Sequence, residues 1–94
     1  MAAADLERIQ SAVLDGRYTL TEYAYDEMDE DRLDVLDVES AILTGAIESV
    51  LTMDPRGARY VIRGLATDQT TPVEVVVRFP NTDHLLILTV YQIK

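Results

Sequence analysis

The apolar positions change period once along the chain. Between residues 4 and 15, Leu6, Ile9, Val13 and Leu14 recur at helical spacing, which predicts an amphipathic helix. Asp5 and Glu7 stand at its start, where the helix dipole favours carboxylates, and Gly16 lies just past its end as a C-cap. In the stretch "YTLTEYAYDEM" Thr19 with Glu22 three residues on reads as a capping box, and Thr21 is a competing N-cap. Leu20, Ala24 and Met28 would then share one face of a second helix, with Tyr23 on its flank. A third, short helix is expected at Val38–Thr44, with Asp37 as N-cap, Val38, Ala41 and Ile42 as its apolar stripe and Gly45 as its stop.

After Gly45 the pattern becomes strand-like. Apolar runs at 47–53, 58–66, 72–79 and 84–93 are separated by "DPRG", "TDQTT" and "PNTD", which have the composition of turns. The last run, "HLLILTVYQI", is almost continuously apolar, as in a strand buried on both faces. The whole pattern predicts a single α+β domain over residues 1–94. Its three N-terminal helices would pack on one face of a four-stranded antiparallel sheet.

Net charge narrows the function classes. It is −9, with seven arginines and one lysine against seventeen carboxylates. Nucleic-acid binders draw most of their affinity from cations that neutralise phosphates, so nucleic acid is not expected as a ligand. The chain has no cysteine, which removes disulfides, thiol catalysis and thiolate metal ligands. No apolar run approaches the ~20 residues that span a bilayer, and "MAAADLERIQ" lacks the basic start and apolar run of a secretory signal. A cytoplasmic location without membrane contact is expected.

Candidate chemistry is sparse. Residues 25–37, "YDEMDEDRLDVLD", hold seven carboxylates and one arginine. Calcium loops need a glycine for their sharp turn, and none lies between Gly16 and Gly45, so the run is expected to be a solvated helix face and no metal or other cofactor is assigned. His84, alone after a turn, makes no metal constellation, and a surface role is expected before a catalytic one. Arg59 and Arg63 lie four apart on one strand and therefore on one sheet face, and one hairpin register adds Arg78. Three guanidiniums there could grip phosphates or a partner's carboxylates, or Arg63 could simply pair with Glu74 across the strands. Tyr18, Tyr23, Tyr25 and Tyr91 could serve an acid–base or stacking role, but packed rings with wet hydroxyls are the ordinary reading.

The order "YTLTEYAYDEM", "LDVLDVESAILTGAI", "RGARYVIRG", "VEVVVRF" and "LLILTVYQI" resembles an uncharacterised bacterial family, number forty-two fifty-eight among the domains of unknown function. The resemblance covers about residues 17–93. That family is similar to the RelE/ParE toxin-like group, whose members carry helices followed by an antiparallel sheet. Some of them cut messenger RNA in toxin–antitoxin pairs and others inhibit gyrase. Where the family pattern reads "LTxHAxxRMxxRxI" this chain has "LTEYAYDEMDEDRL". Tyr23 stands at the histidine position, and Glu27 and Asp31 stand at the two arginine positions. A metal-free ribonuclease needs cations for developing phosphate charge, and two carboxylates there repel it.

Two readings follow. The first is an interaction module without catalysis, a degenerate toxin-like protein that meets a protein partner or a second copy of itself through its sheet. Arg59, Arg63 and Arg78 with Leu86, Leu88 and Val90 would form the binding face. The alternative is a metal-independent endoribonuclease toxin that uses Arg59, Arg63, Arg78, His84 and Tyr91.

Overall fold

The structure, a computed structural model, describes residues 2–94; for Ala2 and Ala3 only the backbone is described. Three helices, α1 (Ala2–Leu14), α2 (Glu22–Glu30) and α3 (Val35–Thr44), lie with five strands. The strands are β1 (Tyr18–Leu20), β2 (Ala46–Leu51), β3 (Arg59–Leu65), β4 (Pro72–Arg78) and β5 (Leu85–Gln92). They form one sheet in the order β1-β5-β4-β3-β2. Four of them make an antiparallel meander, and β1 joins β5 in parallel, with Tyr18, Thr19 and Leu20 beside Leu85, Leu86 and Ile87.

This corrects the expected four-stranded antiparallel sheet behind three N-terminal helices. The sheet is five-stranded and mixed, and β1 separates α1 from α2. The cause is local. Thr19 does not cap a helix, because Tyr18–Leu20 is drawn into the ladder of β5, a contact sixty-odd residues away that no three-residue pattern announces. Thr21 is the cap instead, its hydroxyl accepting from the Ala24 amide at 3.0 Å. The third helix also begins earlier than expected. Asp34 is its N-cap and Asp37 answers as the third residue of a capping box, at 3.0 and 3.1 Å.

All three helices cover the same sheet face. Ile9, Ala12 and Val13 of α1, Ala24 and Met28 of α2, and Val38, Ala41 and Ile42 of α3 form one buried cluster with Ile62, Val73, Val75, Val77, Leu85, Ile87 and Val90 of the sheet. α3 lies closest. A methyl group added at Gly64 of β3 would overlap the Ala41 carbonyl, so glycine here permits helix and strand backbones to touch. A bulge in β5 sets which apolar residues join this core. Val77 faces Ile87 but Val76 faces Thr89, which leaves Leu88 as the extra residue. Alternation beyond it is reversed, so Leu86, Leu88 and Val90 do not share a face: Val90 is fully buried under the helices.

No helix of the described residues is long and apolar enough to cross a membrane.

Candidate functional site

The sheet face turned away from the helices is organised as three cross-strand rows. The central row runs Ser49, Val61, Val76, Thr89. On one side lies the row Ala46, Arg63, Glu74, Tyr91, and on the other Arg59, Arg78, Leu86 and Thr19, from β3, β4, β5 and β1. Val61, Val76, Leu86 and Leu88 are half-buried there.

The expected site residues are thus divided. Arg63 and Tyr91 meet at one end around Glu74. Arg63 Nε donates to Glu74 Oε1 at 3.0 Å, and the Tyr91 hydroxyl donates to Glu74 Oε2. Glu48 of β2 stands 3.8 Å from the same guanidinium. Of the two alternatives for Arg63, pairing with Glu74 is the one observed. The Glu74 carboxylate is buried, and two donors satisfy it.

Arg59 and Arg78 lie at the other end, four residues along β3 and β4, or roughly 13 Å away at strand rise. The valine row lies between the two ends. Arg59 donates through Nε to Asp54 Oδ2 at 2.9 Å, and Arg56 grips the same carboxylate from the turn. The Arg56 and Arg59 guanidiniums together hold the Asp54 carboxyl well below the usual carboxylate range, with the Arg56 hydrogen bond the larger cause. Arg78 makes no ion pair among the described residues, and its Nε is buried without a hydrogen-bond partner, as is Thr89 Oγ1. His84 stands at the β1 end of this row, with Nε2 2.6 Å from Thr19 Oγ1 and its amide donating to Asn81 Oδ1 at 3.0 Å, on the Arg78 side and away from Arg63 and Tyr91. The five candidates for nuclease chemistry therefore do not converge. The described residues form no enclosed pocket, and no group of three or more histidine or carboxylate side chains among them is placed to hold a metal ion.

The acidic run has a different place. β1 is only three residues long, so β5 beyond Ile87 has a free edge, and α2 lies along it. The Thr21 amide donates to the Ile87 carbonyl at 3.1 Å and the Thr21 hydroxyl to the Leu88 carbonyl at 3.0 Å. Glu27 Oε1 accepts from the Val90 amide at 3.0 Å, and Asp31 Oδ2 accepts from the Gln92 amide at 2.8 Å. Lys94 completes an ion pair with Asp31 at 3.1 Å. Three side chains thus do what a sixth strand would do, satisfying edge groups that otherwise invite pairing with another chain.

The electrostatics follow from those contacts. Desolvation raises the Glu27 carboxyl above its ordinary value, against the Val90 amide that favours the charged form. The Gln92 amide, then Lys94, holds Asp31 below its ordinary value. Sequence reasoning passed over Thr21, Glu27 and Asp31 as a functional group. The four-residue step from Glu27 to Asp31 marks one helix face, but only the fold shows that this face lies on a strand edge. The remaining acids of the stretch divide between caps and solvent: Asp34 and Asp37 close α3, while Asp26, Asp29 and Glu30 are exposed.

Among curated proteins and among solved structures nothing matches the chain. Residues 20–92, from the last residue of β1 to the end of β5, match a family described as "Domain of unknown function (DUF4258)". With that match spanning the helix-capped edge and the whole meander, the chain belongs to this family.

Proposed function

We propose that the chain is an interaction module without catalysis, related to the bacterial RelE/ParE toxin-like group, whose open sheet face receives a protein partner. The observation that carries this is the central row of Val61 and Val76, flanked by half-buried Leu86 of the neighbouring row, on a face that none of the three described helices covers. The charge distribution favours the same face. Up to Gly45 there are twelve carboxylates and three arginines, and beyond it five carboxylates and five cations. The whole net charge of −9 thus belongs to the segment that holds the helices, leaving the meander neutral and open to approach.

The pairing of the arginines counts against the ribonuclease alternative. Arg59 and Arg63 already have carboxylate partners within the fold, and a phosphate would have to displace them. Glu27 and Asp31, at the positions where the family pattern has arginines, are turned to backbone amides. The test is induced expression in a bacterial host, with RNA binding measured on the purified chain. Growth should continue, and single-stranded RNA should bind no tighter than ~10⁻⁴ M at ~150 mM salt, the weak end of non-specific binding. Growth arrest relieved by Arg63→Ala or Arg78→Ala, with cleaved messenger RNA, would contradict the proposal and establish the toxin.

A further inference from the structure

The two margins of the sheet are treated differently. At one, Thr21, Glu27 and Asp31 occupy the free groups of β5. At the other, β2 runs six residues with no strand beyond it among the described residues. Its side chains are exposed apart from half-buried Ile47, with Val50 40% and Leu51 50% exposed. It carries one charge, Glu48, and no lysine or proline, the residues that commonly blunt a strand edge.

The sequence of β2 fits one occupant. "AIESVL" is a palindrome in polarity, apolar at both ends and polar in the middle. We propose that β2 pairs antiparallel with β2 of a second copy about a two-fold axis centred between Glu48 and Ser49, giving a continuous ten-stranded sheet. A two-fold axis perpendicular to the sheet requires residues facing across it to point to the same side. An unbroken strand would fail this condition, because Ala46 and Leu51 would point to opposite sides.

The bulge between Ile47 and Ser49 restores it. Ala46 lies beside Arg63 and Leu51 beside Arg59, both on the open face, whereas Ile47 lies beside Ile62 and Val50 beside Tyr60, both on the helix side. In the dimer Ala46 faces Leu51 of the second copy on the open side. Ile47 faces Val50 of the second copy on the helix side, so each covers the apolar surface the other exposes. Glu48 faces Ser49 rather than another Glu48, and Arg63 stays within reach of Glu48, so like charges are not brought into register. The open faces of the two copies become one surface, which the partner proposed above would then meet.

The experiment is sedimentation of the full chain across ~1–500 µM, with amide hydrogen exchange followed at both ends of that range. A dimer is expected, with the β2 amides exchanging more slowly at high concentration while those of β4 are unchanged. Val50→Lys should weaken dimerisation roughly a hundredfold, since it buries a charge against a second copy, and far-UV circular dichroism should show the helices retained. Val76→Glu, on the open face, should leave the dimer intact. A wild type that stays monomeric at the highest concentration overturns the proposal. So does a dimer whose β2 exchange is independent of concentration, or one that Val76→Glu dissociates and Val50→Lys does not. If Val50→Lys fails to fold, the exchange measurement on the wild type decides alone.

Discussion

Glu27 of α2 accepts the backbone amide of Val90 at 3.0 Å, sixty-three residues away. The bond ties the acidic helix to the strand at the point where the bulge has just turned Val90 into the core. One carboxylate thereby holds a helix, a strand edge and the register of a core residue together.

The two ways of removing that carboxylate should therefore differ. Glu27→Ala leaves the Val90 amide without its partner and should cost about 1–2 kcal/mol. In a domain of this size that lowers Tm by roughly 5–15 °C. Glu27→Gln keeps an acceptor oxygen and drops a charge that burial disfavours, so its Tm at pH 7 should equal or exceed that of the wild type. Thermal melts of the two variants check this, and equal losses from both would show that the charge itself is what holds the edge.

Acid should weaken the fold, with Glu27 working in the opposite sense. Asp31 is held low by the Gln92 amide and Lys94, and Asp68 is drawn down to about 2 by the Thr71 hydroxyl and by the Thr71 and Thr70 amides. Their folded values lie below the unfolded value of ~3.9. Their stabilisation is therefore complete above about pH 5 and is lost as pH falls through the folded values. Glu27 has a folded value above its unfolded one, because desolvation raises it. Its contribution declines as pH rises through that window. Melting curves between pH 3 and pH 7 should show Tm falling toward acid in the wild type, and Glu27→Gln should gain on the wild type as pH rises from ~4. Parallel curves for the two proteins would refute the assignment to Glu27.

Gly64 should not accept a side chain. A Cβ there meets the Ala41 carbonyl, and α3 would have to lift from β3. Gly64→Ala should cost about 3 kcal/mol or more, measured by urea denaturation. At Gly16, where φ is +71° but a Cβ would meet nothing, alanine meets only backbone strain, and its cost should be nearer 1 kcal/mol. Similar costs at the two positions would mean that α3 packs more loosely on β3 than described.

Much of this architecture is legible in the residues. The change of period at Gly45, the turns at "DPRG" and "PNTD", and the facing of Arg63 with Glu74 follow from alternation and turn chemistry alone. What escapes is set by tertiary pairing. Tyr18–Leu20 looks like the lead into a helix until β5 lies beside it, and Asp34 reads as one acid among seven until Asp37 returns its hydrogen bond. The bulge at Leu88 has no local marker such as glycine, so a strict two-residue period carries Val90 to the wrong face. The functional residues were visible as types, but their division into two ends of one face depends on register.

The open sheet face, at the valine row, is the proposed seat of a protein partner. A photoreactive amino acid placed at Val76 tests it most directly in cells that make the chain naturally, with the same substitution at exposed Tyr25 on α2 as comparison. A discrete protein adduct is expected from position 76, reduced by Leu86→Glu, and none from position 25. No adduct from position 76, or the same adducts from both positions, would contradict it.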